Sequence, residues 1–92
     1  MDNLQELIKS GAAVIDVRSR EEFEGGHVDQ SINIPLNEVV TRIDEFKALK
    51  QPFIVCCLSG GRSQQAAAYM QVQGIECING GGWQQVKGLL QR

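Results

Sequence analysis

The stretch Val55-Cys56-Cys57-Leu58-Ser59-Gly60-Gly61-Arg62-Ser63 constrains this chain more than any other. An unbroken apolar run ends in cysteine. A short loop with two glycines follows, and Arg62 and Ser63 lead into an alanine-rich helical pattern. That order spells strand, tight loop and helix N-terminus, with Cys57 where the loop begins. Gly60 and Gly61 let the backbone turn back and bring its N–H groups toward one point. Inward loop amides, the first amides of a helix and a guanidinium all favour an anion there. A thiol held at that point ionises well below its free pKa of about 8.5. The predicted site is a reactive Cys57 thiolate in a cradle of Leu58, Ser59, Gly60, Gly61, Arg62 and Ser63, with Ser63 starting the helix.

Strand alternation puts Cys56 and Cys57 on opposite faces, so Cys56 is expected to pack inward. A bridge between them would require a strained vicinal ring. Cys77 falls in a short strand and reads as packing. Three cysteines at these spacings make no disulfide framework. His27 is the only histidine and there is no second cysteine pair, so no metal is expected.

The rest of the chain alternates helical and strand patterns. Asn3 to Ser10 reads as a short helix, with a capping box between Asn3 and Glu6 and a stop at Gly11. Ala12 to Val17 suits a buried strand, and Ser19 to Glu24 a single helical turn stopped by Gly25-Gly26. Ser31 to Ile34 is a short strand closed by Pro35. Leu36, Val39, Val40, Ile43, Phe46 and Leu49 recur at helical spacing and predict one amphipathic helix of about three turns. Phe53 to Cys57 is apolar throughout, as in a parallel sheet covered on both faces. A helix from Ser63 to Gln73, a strand from Ile75 to Ile78 and a last helix marked by Trp83, Val86, Leu89 and Leu90 complete the pattern. Alternating strands and helices predict an α/β fold with a mainly parallel central sheet and helices on both faces.

The 92 residues suffice for one small domain with a single core. A net charge of -2 gives no field that would draw nucleic acid or an anionic membrane. No stretch has the length of a transmembrane helix. The first residues are acidic and polar where a signal peptide is basic and then apolar. As written, the chain reads as cytoplasmic; a mature secreted form or a domain cut from a longer protein is also compatible.

The cysteine loop resembles that of the rhodanese-family sulfurtransferases, in which the active-site cysteine opens a loop of this length before Arg-Ser. Asp16-Val17-Arg18 with Glu22-Phe23, Gly26-His27-Val28 and Ser31-Ile32-Asn33-Ile34-Pro35 is similar to that family's N-terminal signature. Asn79-Gly80-Gly81-Gly82-Trp83 resembles its C-terminal glycine-rich turn with a tryptophan. The match runs in register from Asp16 to Trp83 and implies one rhodanese-like domain over residues 1–92. It also implies a reaction. The Cys57 thiolate takes the outer sulfur of a donor such as thiosulfate or a persulfide, and a thiol, a protein or another thiophile accepts it from the Cys57 persulfide. No metal or organic cofactor is implied. The family members that use thiosulfate well often carry further basic residues by the loop. Here Leu58 adds no charge, and suits docking of a thiol or persulfide on another protein.

Other residues read as scaffold. Asp16 and Arg18 are expected to form an ion pair, with Arg18 also a candidate for the mouth of the site. His27 is expected to order the turn after Gly25-Gly26, and Trp83 to anchor the core. Gly80-Gly81-Gly82 lacks the Lys-Ser/Thr of a phosphate loop and reads as a tight turn before the last helix. Competing functions are a related cysteine-loop phosphatase or arsenate reductase, a non-catalytic regulatory or binding module, and a disulfide redox protein. The first carries one more residue between cysteine and arginine. Inactive relatives of the second kind lose the cysteine that is present here. The third needs a Cys-x-x-Cys pair that this chain lacks.

Overall fold

The computed structural model describes residues 3–91. In chain order the elements are α1 (Asn3–Lys9), β1 (Val14–Asp16), α2 (Arg20–Glu24), β2 (Ile32–Asn33), α3 (Ile43–Lys47), β3 (Phe53–Cys57), α4 (Gly61–Val72), β4 (Cys77–Gly82) and α5 (Trp83–Leu90). The four strands form one parallel sheet in the order β2-β1-β3-β4. The mainly parallel sheet expected, with helices on both faces, is what forms, and every strand pair in it is parallel. The capping box expected at Asn3 lies outside the described side chains.

Strand alternation divides the core between the two faces of the sheet. Phe53, Val55 and Cys57 join Ile15, Val17, Phe46, Ala66, Ala67 and Met70 on the face covered by α3 and α4. Ile54 and Cys56 join Leu4, Val14, Val28 and Val86 on the face covered by α1 and α5. Ala66 and Ala67 are small enough for α4 to lie close on the sheet, and both are buried. Each fully covered side chain such as Phe53 or Ile54 contributes about 1.5–3 kcal/mol by leaving water.

Three local expectations change. The helix predicted from Leu36 to Leu49 is broken: a 3₁₀ turn at Leu36–Glu38 gives way to turns, and α3 is only five residues long. Val39, Val40 and Thr41 are consecutive β-branched residues, which crowd a helix, and the Thr41 hydroxyl donates to Glu38 O at 3.1 Å. Arg42 then leaves helical geometry at φ -110°, ψ 23°. Second, α4 starts at Gly61, so Ser63 lies inside its first turn. Gly60 takes the cap position at φ 104°, while Gly61 is already helical. Third, Gly80-Gly81-Gly82 is not a turn but the end of β4. The register with β3 passes from Val55–Asn79 to Cys56–Gly81, so Gly80 is the extra residue of a bulge. A Cβ on Gly80 would lie 2.8 Å from Ile54 Cγ2 and 2.9 Å from Val86 Cγ2, and one on Gly82 would lie 2.8 Å from Leu58 O. Close packing requires these glycines.

Candidate active site

Cys57 is the last residue of β3, at the carboxyl edge of a parallel sheet, where open α/β sheets bind ligands. The loop Leu58–Gly60 turns over it into α4. The left-handed φ of Gly60 is open to glycine and disfavoured for side chains, and it turns the chain into α4 beside the sulfur. Gly60 N donates to Cys57 Sγ at 3.0 Å, and the Ser63 hydroxyl reaches it at 3.3 Å. Cys57 is 1% exposed and Ser63 fully buried, so the sulfur sits at the bottom of the cradle. Burial pushes the Cys57 thiol up. Hydrogen bonds from the Ser63 hydroxyl and from the Ser63, Gly60 and Ser59 amides outweigh it and hold the thiol below its ordinary range.

Cys56 shows the converse. It faces the other half of the core, and burial, with the Asp16 carboxylate adding to it, pushes its thiol up to about 12. Burial likewise raises Cys77, which packs beneath α4. One thiol of the three is set up to ionise.

Arg62 is placed differently from the anion-facing cation that the sequence suggests. Its Nη1 and Nη2 donate to Glu22 Oε1 and Oε2 at 2.7 and 3.0 Å, a bidentate ion pair. The hydrogen bonds on Sγ come from Ser63 and the loop, and the guanidinium acts on the thiolate through space. Glu22 is held in turn by its own helix start. Ser19 Oγ accepts from Glu22 N at 3.2 Å, and Glu22 Oε1 accepts from Ser19 N at 3.0 Å.

Arg18 is 3% exposed. It donates to Asp16 through Nε and Nη2, and to the carbonyls of Glu22 and Gly26. It also lies 4.6 Å from the Trp83 ring centroid. These contacts make it a brace between β1, α2 and α5 rather than a side chain at an open mouth. His27 stacks on Phe23, and its Nδ1 pairs with Phe23 O at 2.7 Å, the turn-ordering contact expected of it. Trp83 packs against the α1/α5 half of the core, as expected of an anchor.

Sequence reasoning missed two residues at this site. Glu22 was legible as half of a capping box, Ser19-Arg20-Glu21-Glu22, though not as the partner of Arg62. Asn79 had a weaker signal, an asparagine at a strand end before three glycines. Its Oδ1 accepts from the Ser63 hydroxyl at 2.6 Å and from Gly81 N at 3.0 Å, and its Nδ2 donates to Gly60 O at 3.1 Å.

Two grooves flank the loop. An open polar one of about 600 Å³ is lined by Ser59, Gly60, Gln64, Asn79, Gly81 and Gln85. A smaller one of about 290 Å³ runs past Val17, Pro35, Leu36 and Arg62. Leu58, 59% exposed, projects from the loop. No helix among the described residues is long and apolar enough to cross a membrane.

A parallel α/β sheet that delivers a cysteine into a ring of backbone amides defines a class of thiolate-loop proteins, and the comparisons narrow it. Residues 1–89 match the Rhodanese-like domain family, so the chain is a member of that family. It is 34% identical over 77 residues to the thiosulfate sulfurtransferase GlpE of Pseudomonas syringae pv. syringae, covering 84% of this chain and 72% of that one. Among solved structures it resembles reduced Bacillus anthracis CoADR-RHD, with TM-score 0.78 and 28% identity. That alignment covers 96% of this chain but only 16% of the other, far longer one. It also resembles the human single-domain sulfurtransferase TSTD1, with TM-score 0.69, 27% identity and coverage of 90% and 88%.

Proposed function

We propose that this chain, acting as one rhodanese-like domain over residues 1–92, is a sulfurtransferase that carries sulfane sulfur on Cys57. The observation that bears most weight is the sulfur of Cys57 under the Gly60 amide and the Ser63 hydroxyl, with its pKa lowered. Membership of the rhodanese family and the similarity to a thiosulfate sulfurtransferase support the same reading.

In the first step the Cys57 thiolate attacks the outer sulfur of the donor. With thiosulfate, the S–S bond breaks, sulfite leaves with the bonding pair, and a Cys57 persulfide anion forms. In the second step a thiolate attacks the outer sulfur of that persulfide. It leaves as a new persulfide, and Cys57 is a thiolate again. This is covalent catalysis in two displacements. Charge moves only between sulfur atoms, so fixed amide dipoles aimed at the sulfur are the stabilisation the reaction needs. The chemistry calls for no metal or organic cofactor, nucleic acid or membrane. We place the protein in the cytoplasm, where thiols stay reduced.

The donor is thiosulfate or a persulfide, and the acceptor is a thiol, free or on a protein. Pairing of Arg62 with Glu22 leaves the site little net positive charge for a dianion. Exposed Leu58 and the Val17–Leu36 groove offer apolar surface to a thiol-bearing partner.

The test is intact-protein mass spectrometry after incubation with thiosulfate or with a small-molecule persulfide. The expected result is gain of one sulfur atom, removable by cyanide and absent from Cys57→Ala. No sulfur from either donor would overturn the reading.

A further inference from the structure

Ser63 has one hydroxyl proton and two acceptors within reach, Asn79 Oδ1 at 2.6 Å and Cys57 Sγ at 3.3 Å. It cannot serve both at once. The orientation of Asn79 is not free. Backbone groups fix it from both sides: Gly81 N–H needs an acceptor, and Gly60 C=O, which also accepts from Gln64 N at 2.9 Å, would repel an oxygen placed against it. Oδ1 must therefore face Gly81 and Ser63, and Nδ2 must face Gly60. Ser63 is fully buried, so water does not take the place of a lost partner.

We propose that Asn79 is a positioning residue for the sulfur chemistry of Cys57, holding the Ser63 proton when Cys57 is uncharged at Sγ and yielding it when Sγ becomes a thiolate. The inference rests on the sulfur-transfer reading only for its meaning in a catalytic cycle. With a thiol, Ser63 donates to Asn79 and its lone pair accepts the S–H. With the thiolate, the hydroxyl rotates and donates to Sγ. Asn79 keeps the Gly81 amide, so neither state leaves it without a donor. In a persulfide the charge moves to the outer sulfur, Sγ is no longer the anion, and the proton returns to Asn79. Each sulfur transfer then involves one rotation of one buried hydroxyl. The S–H proton goes to solvent once, when the thiol ionises; between thiolate and persulfide the Ser63 proton only changes acceptor.

The sign of the effect is distinctive. Removing Asn79 takes away the partner that Ser63 has in the thiol state and leaves its partner in the thiolate state. That favours ionisation of Cys57, but only while Ser63 is present. Asn79 also ties Gly60 in place, and losing that tie would act in the opposite direction whether or not Ser63 is there. A double-mutant cycle separates the two. The other charged and titratable groups around Cys57 are Arg62 with Glu22, Asp16 with Arg18, and Cys56. They are the same in all four proteins and cancel.

The experiment is the pH dependence of iodoacetamide alkylation at Cys57 in the wild type, Asn79→Ala, Ser63→Ala and the double variant, each checked by thermal melting. Ser63→Ala should raise the thiol pKa. Asn79→Ala should lie about one pH unit lower in the Ser63 background than its effect in the Ala background would place it. An equal effect in both backgrounds, or a coupling of reversed sign, overturns the proposal. Asn79→Asp is the second variant, used also if Asn79→Ala does not fold. Its carboxylate grips the Ser63 proton permanently, so its coupling should have the opposite sign, raising the pKa more when Ser63 is present. Alkylation needs no sulfur donor. A wild type that fails to load sulfur would sink the sulfur-transfer reading and leave this measurement intact.

Discussion

Arg62, in the first turn of α4, and Glu22, the third residue of α2, form a bidentate ion pair across 40 residues of sequence. The pair ties the loop over Cys57 to the segment that Arg18 braces. It also takes up the one guanidinium that the loop carries. The Arg62 hydrogen bonds, then the Ser19 amide, hold the Glu22 carboxyl down at about 2 against an ordinary 4.5.

The pH dependence follows from that depressed pKa. The contribution of the pair is complete above about 4.5 and is lost as pH falls toward about 2. Both side chains are about one-third exposed, so solvent screening keeps the contribution to about 1 kcal/mol or less. Glu22→Gln should flatten this acid limb, seen as a smaller difference between urea midpoints at pH 5 and pH 3 than in the wild type. A limb of unchanged depth would show that the pair contributes nothing.

The two neighbouring cysteines should behave as different chemical species. At neutral pH, brief alkylation followed by peptide mapping should label Cys57 and leave Cys56 untouched, because one thiol is lowered by its hydrogen bonds and the other is pushed up to about 12 by burial. Cys57→Ala should lose sulfur loading altogether with its fold intact. Cys56→Ala should keep it, at a stability cost of about 1 kcal/mol for a small cavity. Labelling at Cys56 in preference to Cys57 would contradict the placement of the site.

The site was legible where chemistry is local in sequence. Phe53 to Cys57 could only be a doubly covered strand, and the glycines after it had to be a turn. Strand alternation then separated the roles of Cys56 and Cys57. What was not legible depends on partners that the fold supplies. Glu22 and Asn79 meet Arg62 and Ser63 only after the sheet has brought α2, α4 and β4 together. The break after Leu36 escaped the periodicity because apolar spacing continues across Val39-Val40-Thr41, while their branched side chains and the Thr41 hydroxyl disrupt the backbone. Gly80-Gly81-Gly82 looked like a turn because glycine marks turns. Here Gly80 and Gly82 mark places where a Cβ would strike Ile54, Val86 or the loop itself, and Gly81 takes a left-handed φ of 82°.

Gly82 and Gly61 provide a contrast within the same site. A Cβ on Gly82 would press on the Leu58 carbonyl at 2.8 Å, backbone that belongs to the cradle. Gly82→Ala should displace the loop, raise the Cys57 thiol pKa and reduce sulfur transfer by about 100-fold, the scale expected for a shift near 1 Å. Gly61 has a helical backbone and open space around its Cβ position. Gly61→Ala should leave the melting temperature unchanged or raise it, with a gain of about 0.5–1 kcal/mol as a helix residue. Melting curves and alkylation profiles of both variants check the pair. A Gly82→Ala protein with a wild-type profile would show that the loop does not lean on β4.

Loop length separates sulfur from phosphate chemistry. Four residues lie between Cys57 and Arg62, and they bring Gly60 N to 3.0 Å from the sulfur. On the proposed sulfur-transfer reading a ring of that size holds one persulfide sulfur, and one residue more is expected of a phosphatase cradle. A glycine inserted between Gly60 and Gly61 would lengthen the turn just before α4 and move the Gly60 amide off its aim. Sulfur transfer should fall by about 100-fold or more. The widened ring should admit a tetrahedral oxyanion and permit weak hydrolysis of an activated aryl phosphate. Wild type should show no phosphatase activity above the Cys57→Ala background. Both activities are to be measured in all three proteins at the same pH. Robust phosphatase turnover by the wild type, without sulfur transfer, would assign the cradle to phosphoryl chemistry instead.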